Sequence, residues 1–310
     1  MCTSVTWESE GSHFVGRNLD FEVSYGQKPV ATPRNYAFNF RNGLSLERHL
    51  AIIGMAAVAE GYPLYFDATN EKGLSAEGLM FKTAGYSSQR GQNCFASFEL
   101  IPYLLGTCEN VAEAKNRLKE IKVTNEAFSP SMPPSPLHWM VCDQKECMTV
   151  EVEEGEVKVY DNPVGVLTNC PDFGKQLFNL NNYPSLSPCD PKDSFAPSYP
   201  LSPYSRAMGT RGLPGGLDSE SRFVRAAFSK LNACKEKDKK KAVSQFFHIL
   251  RSVYQIKGLD KVEGGFEYTI YTSCVDMDEC VYRFMTYENF EVKEAALFSC
   301  DLDSASLAEF

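Results

Sequence analysis

The chain has 310 residues, 43% of them apolar and 23% charged, an ordinary globular composition with enough material for a large packed core. Acidic residues outnumber basic ones, 40 to 31, and the formal charge of −9 leaves no basic face suited to a phosphate backbone, so nucleic acid is excluded as a partner. The longest apolar runs, such as residues 51–58, fall far short of the roughly 20 residues that cross a bilayer, which excludes a membrane helix.

The opening Met-Cys-Thr-Ser-Val-Thr-Trp-Glu-Ser-Glu carries neither a basic nor an apolar leader segment, so a cytoplasmic protein is expected. Short strands are predicted over 3–7, 13–18, 37–40, 50–58, 64–67 and 74–79, separated by Glu-Gly-Ser, Arg-Asn-Gly and Asn-Glu-Lys-Gly turns. A helix is predicted over 95–105, with Pro102 a distortion or a break. A second starts at a capping box formed by Asn110 and Glu113, with Val111, Ala114, Leu118 and Ile121 on one face. Strands return over 138–142, 149–153, 157–160 and 165–168. Helices follow over 221–231, where Val224, Ala227, Phe228 and Leu231 share a face, and over 241–256, where Val243, Phe246, Phe247 and Leu250 do. The carboxyl end reads as strands over 266–274, 280–287 and 290–296. This order of elements suggests two stacked sheets with helices outside, and with no linker between halves a single domain over 1–310 is expected.

Two segments depart from the pattern. Residues 128–136 hold four prolines with Phe128 and Met132, a stiff apolar loop that is either a surface connection or a pocket wall. Residues 183–204 hold six prolines among serines and tyrosines, a long loop of the kind that is either disordered or docked on another subunit. Eleven cysteines without a Cys-x-x-Cys pair read as reduced thiols, although Cys142 and Cys147, or Cys274 and Cys280, could be neighbours across hairpins. His13, His49, His138 and His248 are not at metal-ligand spacing, so no metal is expected.

The most specific chemical feature is Cys2. Removal of Met1 would expose a residue that holds a thiol nucleophile and, in its α-amine of pKa roughly 7.7–8.0, a base able to take the thiol proton near neutrality. No histidine partner is needed. Taken alone, Met-Cys is far more readily an accident of a commonly processed position. The next segment changes that balance: Arg17 and Asp20 follow on a strand expected to pair with the first. A guanidinium favours thiolate, and a carboxylate can accept a hydrogen bond from an α-ammonium. The bland alternative is a surface pair worth under about 1 kcal/mol.

Cys2 with Gly16-Arg17-Asn18-Leu19-Asp20 is followed by Thr32-Pro33-Arg34-Asn35-Tyr36, Asn70-Glu71-Lys72-Gly73-Leu74, Leu137-His138-Trp139-Met140 and Gly165-Val166-Leu167-Thr168-Asn169. Gly212-Leu213-Pro214-Gly215, Ser221-Arg222-Phe223-Val224-Arg225 and Tyr268-Thr269-Ile270-Tyr271-Thr272-Ser273-Cys274 complete the series. In this order, over essentially the whole chain, these motifs resemble the choloylglycine hydrolase family of amino-terminal-nucleophile hydrolases, which contains bile salt hydrolases and penicillin V acylases. The resemblance implies an α+β fold, a four-layer αββα sandwich of two antiparallel sheets, and hydrolysis of a linear amide without any cofactor. It also implies Cys2 as nucleophile, Arg17 and Asp20 as its activating partners, Asn169 as an oxyanion and substrate-orienting residue, and Arg222 as a further polar member of the site. Without the family, Asn169 would be a turn residue and Arg222 would pair with a nearby acid at a helix start.

Where bile salt hydrolases typically read Gly-Leu-Asn-Phe, this chain reads Gly78-Leu79-Met80-Phe81. A thioether donates no hydrogen bond, so at Met80 only the backbone N–H is left to serve an oxyanion. By the same resemblance the acyl pocket would be lined by Leu19, Ala59, Phe66, Phe128 and Met132, with Tyr25 near its mouth, although ordinary core packing explains each of these alone. The Gly212–Arg225 region and Ser24-Tyr25-Gly26 look more like bile salt hydrolases than penicillin acylases. Conjugated bile salts are therefore the expected small-molecule substrate, with penicillin V or another N-acyl amide as the alternative. A bile-acid-binding protein that hydrolyses weakly or not at all, because of Met80, is a further alternative, and a thiol-storage role ranks last. The loop at about 183–210 resembles the family's assembly loop and implies a homotetramer. Whether Met1 is removed is not written in the sequence, and a retained methionine would acylate the proposed base.

Overall fold

The computed structural model describes residues 1–310. Three two-residue turns, Glu10-Gly11, Glu60-Gly61 and Glu154-Gly155, have positive φ at both positions, between 49° and 87°. That backbone twist matches the twist of flanking strands, so each turn closes a tight antiparallel hairpin. The hairpins are Cys2–Ser9 with Ser12–Phe21, Ile52–Ala59 with Tyr62–Asn70, and Cys147–Glu153 with Glu156–Asp161.

The first hairpin seeds a seven-stranded antiparallel sheet in the order Val166–Leu167, Cys2–Ser9, Ser12–Phe21, Gly265–Asp276, Val281–Thr286, Lys293–Ala296, with Asp260–Val262 folded back on Gly265–Asp276. The other two hairpins lie in an eight-stranded antiparallel sheet ordered Glu156–Asp161, Cys147–Glu153, Leu137–Cys142, Ser75–Met80, Tyr62–Asn70, Ile52–Ala59, Lys28–Thr32, Ala308–Glu309. Helices Ser219–Asn232 and Lys239–Arg251 cover the outside of the first sheet, and Leu100–Thr107 with Val111–Leu118 cover the outside of the second. The result is the four-layer αββα sandwich. One apolar cluster fills the space between the sheets and the underside of the first helix pair, through residues such as Trp7, Phe14, Phe223, Phe246 and Met140. A second, with Trp139, Phe95, Leu104 and Val111, fills the underside of the other pair. No helix is long and apolar enough to cross a membrane.

Three helices start at the side chain that local chemistry favours. Asn110, Asp218 and Asp238 all accept the N–H three residues on, at 2.9–3.0 Å. Val111, Ala114 and Leu118 are buried as their spacing predicts. Other boundaries move. Cys94–Ala96 is a strand, held in parallel pairing by Lys122–Thr124, so the expected helix from residue 95 begins at Leu100, after a 3₁₀ turn, with Pro102 in its first turn where a missing N–H does no harm. The helix expected to run to 256 ends at Arg251, and the strand expected from 290 starts at Lys293. Leu231, expected on the inner face with Val224 and Ala227, is 62% exposed, because it lies in the last turn, past the buried stretch Phe223–Ala227. Lys28–Thr32 and the helix Phe173–Asn179 were not anticipated: the strand contains Pro29, which argues against one, and the helix is only seven residues long.

Candidate active site

Cys2 opens the first strand, opposite Leu19, and Ser4 lies opposite Arg17. Paired residues share a face and faces alternate, so Cys2, Ser4, Arg17 and Leu19 project between the sheets, while Thr3, Asn18 and Asp20 project toward the helices. Consistent with this, the Asn18 side-chain amide donates to Leu250 O of the helix Lys239–Arg251 at 3.0 Å.

Arg17 is fully buried and reaches across to the second sheet, where Nη1 donates to Phe66 O at 2.9 Å and to Gly78 O at 2.6 Å. Its Nε and Nη2 have no hydrogen-bond partner. Burial opposes the guanidinium charge, but Cys2, Tyr271, Asp67 and Glu77 around it outweigh that and hold its pKa above the ordinary arginine value.

Asp20 is also buried but on the other face. Its carboxylate accepts from Thr269 Oγ1 at 2.6 Å and Gln255 Nε2 at 3.3 Å, and it is the Asp20 backbone carbonyl that accepts from the Met1 amine, at 2.6 Å. With Met1 in place the amine that approaches Asp20 belongs to Met1, not Cys2, and it meets the backbone carbonyl because strand alternation turns the carboxylate toward the helices. Burial pushes the Asp20 carboxyl up, against the pull of Arg222 and the amino terminus. The Met1 amine is also ion-paired with Glu267. Met1 itself lines a cavity of about 530 Å³ together with Met80, Asn169, Cys170, Leu217 and Ser219.

Asn169, just beyond Val166–Leu167, lies at the centre of a buried network. Its Oδ1 accepts from Cys2 N–H at 2.9 Å and from Arg222 Nη2 at 2.7 Å, and its Nδ2 donates to Met80 O at 2.7 Å. Two donors on one atom and a carbonyl on the other fix which way the amide points. Arg222, one turn into the helix Ser219–Asn232, also donates through Nη1 to Cys2 O at 2.5 Å and Thr3 Oγ1 at 2.6 Å, and through Nε to Leu217 O at 2.8 Å. Burial pulls its pKa down, countered by Asp20 and Cys2. Ser219 Oγ accepts from Asn169 N–H at 2.8 Å, which ties the helix start to the end of the strand.

The Met80 backbone faces this network. Phe81 N–H donates to Pro136 O at 2.7 Å, and antiparallel ladders alternate bonded and open pairs, so the Met80–Leu137 pair is an open one. The N–H and C=O of Met80 both point away from Leu137, and the C=O accepts from Asn169 Nδ2.

The expected acyl-pocket residues fall into separate groups. Leu19 is opposite Cys2. Phe66 sits at a bulge between Asp67 and Tyr65, which turns its ring inward, where Tyr25 lies 5.5 Å away, stacked in turn on Phe21. Ala59 is paired with Tyr62, whose ring meets Phe128 at 5.9 Å, and Phe128 also carries Arg41 at 5.7 Å over its face. Met132 is 41% exposed at the tip of the loop. Sequence reasoning missed Asp67, Glu77 and Tyr271, buried around Arg17, Tyr282 on Asp67, and Glu267, Thr269 and Gln255 near Asp20. Asp67 and Glu77 had a signal: each is a single carboxylate inside a strand otherwise apolar or small.

Two stacked antiparallel sheets under helices, with a cysteine opening an inner strand, define the amino-terminal-nucleophile hydrolase fold. The sequence profile of linear amide C-N hydrolases, choloylglycine hydrolase family, matches residues 2–310. Bile salt hydrolase/transferase of Lactiplantibacillus plantarum is 48% identical over 315 residues, covering 100% of this chain and 96% of its own length. Conjugated bile acid hydrolase of Lactobacillus acidophilus is 36% identical over 100% of both chains. The crystal structure of the mutant C2A conjugated bile acid hydrolase from Clostridium perfringens superposes with a TM-score of 0.92 at 31% identity, covering 100% of this chain and 96% of that one. Penicillin V acylase from Agrobacterium tumefaciens shares the fold, with a TM-score of 0.81 at 19% identity over 99% of this chain and 90% of that one. The chain belongs to the choloylglycine hydrolase family and is an amidohydrolase acting on linear C–N amides.

Proposed function

We propose that the chain deconjugates glycine- and taurine-linked bile salts through Cys2 once Met1 is removed. The observation that carries the mechanism is the Asn169 network, which ties the Cys2 backbone, Arg222 and Met80 together at one cavity wall. The freed α-amine of Cys2, held by Asn169 Oδ1, takes the thiol proton. The sulfur, beside the Arg17 guanidinium, attacks the amide carbonyl. Asn169 Nδ2 and the Met80 N–H receive the oxyanion, so the loss of a side-chain donor at position 80 leaves the reaction intact. The amine leaves with the proton, and water activated by the same α-amine hydrolyses the thioester. Leu19, Tyr25 and Phe66 offer an apolar surface beside the sulfur for the acyl group, with Ala59, Phe128 and Met132 farther out. The names of the most similar relatives support bile salts as the substrate class.

The protein acts in the cytoplasm as one domain and assembles as a homotetramer through residues 183–210, where Phe195, Tyr199 and Tyr204 are each more than 60% exposed. The test is a side-by-side assay of glycocholate, taurocholate and penicillin V on protein whose intact mass proves Met1 absent. Release of glycine or taurine as the fastest reaction is expected. Faster cleavage of penicillin V, or binding of bile salts without turnover, would overturn the substrate assignment, and a monomer in sedimentation would overturn the assembly.

A further inference from the structure

Around Arg17 the structure buries a group of acids and phenols for which the reaction as described has no use. Asp67 and Glu77 are directly paired across neighbouring strands of the second sheet and both face the first. The carbonyls that hold Arg17 Nη1 belong to their chain neighbours, Phe66 and Gly78. From the first sheet, Tyr271 O–H donates to Asp67 Oδ2 at 2.5 Å and Tyr282 O–H to Asp67 Oδ1 at 2.6 Å. Asp67 thus has a strong donor on each oxygen, as an ionised carboxylate needs. Glu77 has none on Oε2, although the Ser4 hydroxyl is beside it.

Two carboxyls paired across adjacent strands in a dry interior cannot both ionise cheaply. Burial pushes both carboxyls up, and the two phenol donors on Asp67 favour the charge there and the proton on Glu77. We propose that Asp67 and Glu77 are positioning residues for the chemistry at Cys2, acting through Arg17, and that their shared proton keeps the buried cluster from repelling the thiolate. With Glu77 neutral, Arg17 and Asp67 balance each other, and the guanidinium accepts a thiolate beside it. Once Glu77 ionises, the group behind the sulfur is net negative, and forming the thiolate becomes harder.

Every element packed against Glu77 bears on this balance. Asp67 comes from Tyr62–Asn70, Arg17 from Ser12–Phe21, Cys2 and Ser4 from Cys2–Ser9, Tyr271 from Gly265–Asp276, Tyr282 from Val281–Thr286 and Cys142 from Leu137–Cys142. Burial holds the two phenols well above their usual range, and the contact with Cys147 together with burial does the same for the Cys142 thiol, so none of these three competes for the charge. Burial first, and then the Asp67 charge, push the Glu77 carboxyl up to about 8, against the pull of Arg17.

The inference rests on Cys2 as nucleophile, and two readouts keep the two ideas apart: the rate of Cys2 alkylation by iodoacetamide, and kcat/KM on glycocholate, both against pH in Met1-free protein. In the wild type, the rise expected as the α-amine loses its proton is cut off by a fall on the order of tenfold as Glu77 ionises near pH 8. In Glu77→Gln the fall is gone and only the rise remains. In Tyr282→Phe, Asp67 loses a donor, the pair holds its proton more tightly, and the fall moves to higher pH. Identical profiles for the wild type and Glu77→Gln would overturn the proposal, as would an unmoved fall in Tyr282→Phe should Glu77→Gln not fold. Pronounced wild-type alkylation with the predicted fall, but no bile salt cleavage, would support the proposal while removing the substrate assignment.

Discussion

Replacing Asn169 with alanine deletes three hydrogen bonds at once: those from Cys2 N–H and Arg222 Nη2 to Oδ1, and that from Nδ2 to Met80 O. Losing one preorganised oxyanion donor costs about 100–1000-fold in kcat, or roughly 2.7–4 kcal/mol of transition-state stabilisation. The missing acceptor also leaves a buried guanidinium N–H unpaired, which costs about 1–3 kcal/mol of stability. Asn169→Asp separates the two effects, since it keeps an acceptor for Cys2 and Arg222 but has no N–H to donate. Steady-state hydrolysis of glycocholate by Met1-free protein, with urea unfolding in parallel, is the assay. Both variants are expected to lose kcat by about 100-fold or more, with the larger loss of stability in Asn169→Ala. A kcat within tenfold of wild type in either variant would refute the donor role of Asn169.

Mild peroxide is expected to abolish turnover by oxidising the Cys2 thiolate to sulfenic acid, and dithiothreitol to restore it, with intact mass following the added oxygen; insensitivity to both would count against a cysteine nucleophile. Phe223→Ala, at a fully buried ring 6.2 Å from Phe173, should lower stability by about 3–5 kcal/mol, whereas Leu231→Ala on the same helix should stay within about 0.5 kcal/mol, both read from urea midpoints. A carboxyl raised from 4.5 to about 8 by folding contributes stability below pH 4.5 relative to higher pH, and that contribution is lost as pH rises through 8. Wild-type stability should therefore fall by on the order of a few kcal/mol across that window, relative to a flatter curve for Glu77→Gln; parallel curves would mean that Glu77 is ionised throughout.

Most strands were legible because turns and alternation are local. Glu10-Gly11, with positive φ at both residues, closes a hairpin between two alternating runs, and the apolar spacing after Asn110 buries one stripe of a helix. The failures were equally physical. Cys94–Ala96 reads as the start of a helix until Lys122–Thr124 supplies ladder partners, and Leu231 has the right spacing but lies beyond the end of the surface its helix covers.

At the site, the motifs named Cys2, Arg17, Asp20, Asn169 and Arg222 as belonging together. What each side chain touches was decided in three dimensions. Asp20 faces away from the sulfur because alternation along a strand puts neighbours on opposite faces, and register, which depends on the partner strand, sets the choice. Asp67 and Glu77 become one unit with Arg17 only when two sheets stack, and a buried charge gets its meaning from the groups across the gap, which no local pattern encodes.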